Sequence, residues 1–398
     1  MRKILHIDAD CFFAAVEMRE NPRLATIPIA VGGDPGQRGV VATCNYEARR
    51  FGVKSAMPSA HALRLCPQLT ILKPNMALYR EVSGQMQQLF ADYTETVEPL
   101  SLDEAFLDVS EASACRGSAT WIAQEIRQRI HRELGITVSA GAAPVKFLAK
   151  IASEWRKPDG FFALSPGDIP SFVAQLPVKS LPGVGKVTEG RLNRYGLYTC
   201  ADIQSWGLDK LVHHFGSYGD KLHRMAQGLD ERPVDPSRTR RSISVEQTYA
   251  EDISVEHIRG RGGLIDVVDD LLEDLDRRFQ RISSDYSPAK QFVKLKFDDF
   301  RQTTLEAPLS GRHGTEGGRG GRSRLGRVPD EPGHQVSRAE PGEGAWTHGQ
   351  DMPDQTVAQP GGGPGVRSAW SARATASKAP RQNRRYRSSP ALLRLPRP

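Results

Sequence analysis

Long hydrophobic runs are missing from this 398-residue chain. Nothing approaches the ~20 consecutive apolar residues that cross a bilayer. Met1-Arg2-Lys3 leads directly into a short strand-like segment bearing an aspartate, not into the apolar core of a secretory leader. Cysteine is scarce: Cys11, Cys44, Cys66, Cys115 and Cys200 form no CxxC pair and no Cys/His ligand spacing. Neither a zinc module nor a disulfide framework is indicated, and a reduced, cytoplasmic protein is the expectation. Acidic residues fall short of basic ones, 47 against 54, and the net charge of +7 suits a polyanionic partner without demanding one. The length allows two to three domains with buried cores.

What is there is concentrated in two acidic stretches far apart: Ile4-Leu5-His6-Ile7-Asp8-Ala9-Asp10, and residues 99–109 with Asp103, Glu104 and Asp108. Carboxylates among apolar β-formers are costly unless they gain a cation or a strong donor. Successive side chains of a strand point to opposite faces, so Asp103 and Glu104 can share one site only from a turn. Residues 97–102 and 105–109 therefore read as two short strands, with 101–104 as the hairpin tip beside the end of the Asp8 strand. Asp8, Asp103 and Glu104 would then converge on a place able to hold two Mg²⁺ ions, hard cations that take oxygen ligands. That is the apparatus of two-metal phosphoryl or nucleotidyl transfer. The competing reading is a polar hairpin tip and an ordinary strand-end aspartate.

Between and after these stretches the chain reads as strands over 27–33 and 39–44 and a short helix over 45–52, a compact, turn-rich region. Helices over 76–90 and 118–133 follow, the second with Trp121, Ile122, Ile126 and Ile130 as its apolar positions, then a strand over 136–142 and a helix start at Val145. This order predicts an α+β sheet with helices on one face. A second segment begins near Pro166. In it Pro182-Gly183-Val184-Gly185-Lys186 is either a tight interhelical turn or a place where glycine backbone and free helix-start amides meet a phosphate. Residues 232–241, with Arg240 and Arg241, read as an exposed linker. A third unit has a strand over 242–247 and an amphipathic helix with Leu264, Val268, Leu271, Leu275 and Phe279 on one face. In its last strand Lys294 and Lys296 alternate with Val293, Leu295 and Phe297, and the basic face is either solvated or set against DNA. Beyond Ser310 glycine and proline exceed a quarter of the residues, while isoleucine and phenylalanine vanish. Residues 310–398 read as a disordered tail, either an arginine/glycine RNA-binding tail or the product of a shifted frame, because the third unit stops after too few strands.

Four stretches in order carry a resemblance: Asp8-Ala9-Asp10-Cys11-Phe12-Phe13, Cys44-Asn45-Tyr46-Glu47-Ala48-Arg49, Ser101-Leu102-Asp103-Glu104-Ala105, and Lys146-Phe147-Leu148-Ala149-Lys150-Ile151-Ala152-Ser153. With the Pro182-Gly183-Val184-Gly185 hairpin after them, they resemble the Y-family translesion DNA polymerases, most closely a bacterial member, over residues 1–305. The resemblance implies an α+β right hand: a ferredoxin-like palm (1–10 and 74–165), small fingers (11–73), a helix-hairpin-helix thumb (166–231), a linker (232–241), and an incomplete little finger (242–309) before the tail. It implies Asp8, Asp103, Glu104 and the main-chain carbonyl of Ala9 as ligands of two Mg²⁺ ions, with Glu104 the catalytic residue, and Phe13 as a steric gate against the 2′-hydroxyl. Phe12, Thr43, Tyr46, Arg49 and Lys157 would contact the nucleotide. Gly183, Gly185, Lys186, Arg240, Arg241, Lys294 and Lys296 would contact DNA, and Asp10 would be structural. The implied activity is template-directed, low-fidelity DNA synthesis past damaged bases in DNA repair, on primer-template DNA and deoxynucleoside triphosphates, by a monomer. The family's sliding-clamp motif is not found. The rivals are a non-catalytic DNA-binding repair protein, a polymerase made inactive by its tail, and a nucleotide cyclase with paired carboxylates on a similar sheet.

Overall fold

The structure, a computed structural model, describes residues 1–237, 241–249, 251–253, 263–282, 286–308 and 369–378, with the backbone alone at 263–269, 286–288 and 369–378. It divides into two compact units, Met1–Thr239 and Arg240–Pro398. The first unit opens with β1 (Ile4–Ala9), α1 (Phe12–Glu20), β2 (Ile29–Gly32), β3 (Val41–Cys44), α2 (Tyr46–Arg50), α3 (Ser59–Leu65) and β4 (Thr70–Leu72). There follow α4 (Met76–Ala91), β5 (Val97–Pro99), β6 (Glu104–Asp108), α5 (Ala119–Leu134), β7 (Val138–Ala143), α6 (Lys146–Glu154) and β8 (Phe161–Ala163). Five short helices close it: α7 (Ile169–Gln175), α8 (Lys186–Arg194), α9 (Cys200–Trp206), α10 (Leu208–Phe215) and α11 (Ser217–Ala226).

The main sheet runs β5-β6-β1-β7-β8, with β1 antiparallel to both neighbours and β7 parallel to β8. Alternation along β1 sends Leu5, Ile7 and Ala9 into one core with Phe12, Tyr79, Ile122 and Ile126. Ile4 goes into another with Phe106, Phe147 and Leu148, continuous with Leu192, Ile203 and Leu222 of the closing helices. Helices thus cover both faces of the sheet, not one. The apolar residues on either side of the alternation in Ile4-Leu5-His6-Ile7 are the mark of a strand buried on both sides. Helix α6 lies on the second face because β7 offers Gly141 there: a Cβ at that position would stand 2.1 Å from the Ala149 carbonyl oxygen and 2.3 Å from Ser153 N.

The stripe Ile122, Ile126, Ile130 is buried in α5, whose start is capped by the Ser118 side chain and whose end is closed by Gly135 at φ 67. Trp121 is 64% exposed, against the inward reading of its position. At about 100° per residue the isoleucines at i and i+4 take the inward face, and their neighbour is turned aside. Strands β3, β2 and β4 make a separate three-stranded sheet with its own core of Ala30, Val41, Cys44 and Val53. Asn45 ties α2 to that sheet, accepting from the amides of Ala48 and Ile29 and donating to the Ile27 carbonyl.

The second unit comprises β9 (Ser242–Thr248), α12 (Gly263–Gln280), β10 (Tyr286–Lys296), β11 (Gln302–Pro308) and β12 (Ala369–Lys378), in the antiparallel order β11-β10-β12-β9. Ile243 and Val245 pack on Leu271 and Leu275. Strand β12 departs from the expectation for residues 310–398: a segment within the presumed tail pairs with β10 on one side and β9 on the other. Its run Ala-Trp-Ser-Ala-Arg-Ala-Thr-Ala-Ser-Lys carries little β-branched alternation. What makes it a strand is the pair of backbone edges that β9 and β10 would otherwise leave unpaired. The remainder of 310–398 lies outside the described residues. Among the described residues no helix is long and apolar enough to cross a membrane.

Candidate active site

The β1–β6 register puts Asp8 directly opposite Glu104, and His6 opposite Phe106, on the face covered by α6. The turn between β5 and β6 falls one residue earlier than the sequence suggests: Glu104 is the first residue of β6, and residues 100–103 make the turn. Like charges directly opposite one another on a sheet repel. Here each is met by an ammonium group. Lys157 Nζ lies 2.5 Å from Asp8 Oδ1, and Lys150 Nζ, reaching down from α6, is bound to Glu104 Oε2. Lys157 is also 2.8 Å from Glu154 Oε1.

The two carboxylates are nonetheless unlike. Burial pushes the Asp8 carboxyl up to about 6, against the pull of Lys157. His6, ahead of Lys150, holds Glu104 down at about 2. His6 is fully buried, with Nδ1 2.8 Å from Ser153 Oγ and Nε2 3.2 Å from Glu104 Oε2, and burial lowers its imidazole below the ordinary range. Ligand atoms of His6, Asp8 and Glu104 all lie within 4.8 Å of one another. The acidic cluster is of a composition and size to take a divalent cation.

Asp103 lies in the turn. Its main-chain carbonyl accepts from Ala9 N–H at 2.9 Å, while its Oδ1 accepts from the Ser101 hydroxyl at 2.5 Å. The structure therefore brings Asp8 and Glu104 together directly and leaves the Asp103 carboxylate turned to Ser101, although its charge is felt at Asp8. His6 and Lys150 were not singled out as site residues from the sequence. The signal for His6 is its place two residues before Asp8, on the same face of the strand. Lys150 sits in a quoted motif, but nothing local tells which side of α6 meets the carboxylates.

Asp10 is buried and accepts from Ser139 Oγ at 2.8 Å and from the Asp159 amide at 2.8 Å. Gly160 N donates to the same Ser139 hydroxyl at 3.2 Å, and Arg127 reaches both the Val138 carbonyl and Asp159 Oδ1. Together these bonds hold the turn that carries Lys157 against β1 and β7.

Phe12 is buried, and Phe13 is stacked on Tyr79 with centroids 4.3 Å apart and planes 13° apart. The Tyr79 hydroxyl donates to Glu17 Oε1. Thr43 is half-buried on β3. On α2 the Arg49 guanidinium lies 4.6 Å over the Tyr46 ring, and its Nε donates to the Cys44 carbonyl. The Tyr46 hydroxyl is buried without a hydrogen-bond partner among the described residues, and burial, then Asp10, pushes it up to about 12. Gly183 adopts φ 90 beneath the Tyr218 hydroxyl, Gly185 caps α8, and Lys186 opens that helix exposed to solvent. In the second unit Lys294 lies on β10, Lys296 Nζ stands 4.3 Å over the Phe300 ring and Arg241 is exposed. Arg240 lies outside the described residues.

Residues 7–154 match the impB/mucB/samB family, and residues 179–230 match the thumb domain of DNA polymerase-iota. The chain is 55% identical over 311 residues to the DNA polymerase IV of Pseudomonas syringae, covering 78% of this chain and 86% of that protein. It is 54% identical over 312 residues to that of Pseudomonas entomophila, covering 78% and 87%. Among solved structures, a Y-family DNA polymerase chimera superposes with a TM-score of 0.70 at 27% identity, over 77% of this chain and 88% of that one. An insertion ternary complex of Dbh DNA polymerase gives 0.59 at 27%, over 79% and 89%. Identity above half over 311 residues, with family matches at 7–154 and 179–230, places the chain in the Y family of DNA polymerases as a DNA polymerase IV homologue, a DNA-directed DNA polymerase of translesion synthesis.

Proposed function

We propose that Asp8, Asp103 and Glu104, with the main-chain carbonyl of Ala9, hold two Mg²⁺ ions, and that the chain extends a primer 3′ end with deoxynucleotides. The observation that carries this is the register of Asp8 opposite Glu104, each with a lysine ammonium as its counter-charge. The donor set fits: hard oxygens on adjacent strands, at a site that already draws positive charge. Divalent cations bound there would supply Lewis-acid charge to the primer hydroxyl and the phosphates.

The chain's own residues complete the site. Asp103 exchanges its bond to Ser101 for the cluster, and Lys157 leaves Asp8 for the triphosphate as a point charge. The unpartnered Tyr46 hydroxyl donates to a phosphate oxygen, and Arg49 offers two parallel donors. Thr43 assists them. Phe12 and Phe13 lie under the nucleotide, where the Phe13 ring, stiffened by Tyr79, excludes a 2′-hydroxyl. Positive charge that converges where the phosphates become more anionic stabilises the transition state.

Residues 1–10 and 74–165 act as palm, 11–73 as fingers, 166–231 as thumb and 242–309 as little finger. The duplex is gripped through Gly183, Gly185 and Lys186 at a helix start and through Arg240, Arg241, Lys294 and Lys296, a salt-dependent contact. The protein works as a cytoplasmic monomer on primer-template DNA. Primer extension in Mg²⁺ tests the reading. Asp103→Ala and Glu104→Ala should abolish incorporation while the fold survives, and extension at wild-type rate by either variant would refute the assignment.

A further inference from the structure

We infer that His6 is a positioning residue: its ring, held by Ser153, sets the orientation of the Glu104 carboxylate. The inference rests on the reading of Glu104 as a reaction carboxylate.

The terminal torsion of a glutamate has broad, shallow wells, so what binds its oxygens decides where the carboxylate points. Two groups reach Glu104 Oε2. Lys150 is a flexible chain with 39% of its side chain exposed, and its charge competes with any cation the site takes up. His6 is the opposite kind of partner, fully buried, packed 4.8 Å from the Phe106 ring and planted on the central strand. A rigid buried ring can fix a first ligand to the fraction of an ångström that catalysis requires.

Proton accounting agrees. A carboxylate only accepts, so for the ring to hold Glu104 the nitrogen facing it, Nε2, must carry the ring hydrogen. Nδ1 is then bare and needs a donor. The Ser153 hydroxyl donates to the Lys150 carbonyl at 2.8 Å and lies 2.8 Å from His6 Nδ1, so it can turn its single hydrogen to the histidine when Nε2 engages Glu104. A hydroxyl so placed supports the tautomer that serves Glu104, the arrangement by which outer partners orient metal ligands. The Nε2 contact, 3.2 Å and off the alignment of a formed hydrogen bond, is of the loose kind that tightens when substrate is bound. A buried leucine would fill the space without the cost of burying an imidazole, so packing alone does not account for the residue.

The test is single-nucleotide incorporation by the full chain, together with Mn²⁺ affinity by electron paramagnetic resonance and primer-template affinity by anisotropy. His6→Leu should lower kcat about 10- to 100-fold and weaken Mn²⁺ binding about tenfold. Nucleotide KM and primer-template Kd should stay within about twofold, since neither depends on how one carboxylate is aimed. His6→Gln, which keeps an N–H donor, should recover most of the loss. Ser153→Ala should cost less than His6→Leu, and adding it to His6→Leu should cost nothing more, because both act through one ring. Wild-type kcat in His6→Leu, a glutamine variant no better than leucine, or a loss shared equally by DNA affinity and thermal stability would overturn the inference. Glu104→Gln run alongside separates the failures: full activity there refutes the reading of the site itself, whatever His6 does.

Discussion

Lys157 and Asp8, 149 positions apart in sequence, meet at 2.5 Å between Nζ and Oδ1. The pair joins the central strand to the turn after α6, and the ammonium that meets this buried carboxylate is shared with Glu154. Burial still dominates at Asp8, whose carboxyl stands at about 6 against an ordinary 3.8. The folded chain therefore keeps a proton that the unfolded chain releases from about pH 4 upward. A raised carboxyl pKa costs stability that is absent below the unfolded value and complete above the folded one. In metal-free protein the stability difference between Asp8→Asn and wild type should shift in favour of the variant by about 3 kcal/mol at most between pH 4 and pH 7. Losing the Lys157 partner adds a constant offset, since the lysine stays charged over that range. Urea titrations across the range check this, and a flat difference would contradict it. Millimolar Mg²⁺ should raise the Tm of wild type and leave Asp8→Asn unmoved.

Asp10 accepts from Ser139 and from the Asp159 amide, and so holds the turn that presents Lys157. Asparagine keeps one acceptor and turns an amide toward a donor, a loss of about 1–3 kcal/mol. Asp10→Asn should raise nucleotide KM about tenfold and change kcat about threefold or less, since the lysine grips substrate through charge. Steady-state incorporation measures both. An unchanged KM, beside a Lys157→Ala variant whose KM rises, would separate Asp10 from that turn.

The Phe13 ring is braced face to face by Tyr79 and cannot swing aside freely. Phe13→Val should admit ribonucleotides, narrowing the deoxy/ribo ratio of kcat/KM by about 100-fold or more, on the order of 3 kcal/mol. Competing incorporation of the two sugars checks it. A ratio that does not move counts against the gate.

Strand β12 stands between β9 and β10. Ending the chain after Pro308 should expose one edge of each, and hydrogen exchange at β9 and β10 amides should accelerate while β1 and β7 keep their protection. Unchanged protection in β9 would mean that the pairing contributes no stability.

The inward stripe Ile122, Ile126 and Ile130 and the acidic runs were legible in the chain, because they follow from periods of two and 3.6 residues and from chemistry local in sequence. Asp8 and Glu104 stood out for the same reason, as charges in apolar surroundings. Their convergence was expected, but which residue faces which was not, because register is set between strands that the chain separates by nearly a hundred residues. His6, Lys150 and Asp10 took their places only when β1 was enclosed by β6, β7 and α6, since a buried ring and a lysine gain their partners from elements remote in sequence. The same holds for Trp121, turned outward by its neighbours' packing, and for Ala369–Lys378, which became a strand because two backbone edges were open to it. Local pattern decided what most segments are. Long-range hydrogen bonding and burial decided which charges face one another, and the chemistry depends on that.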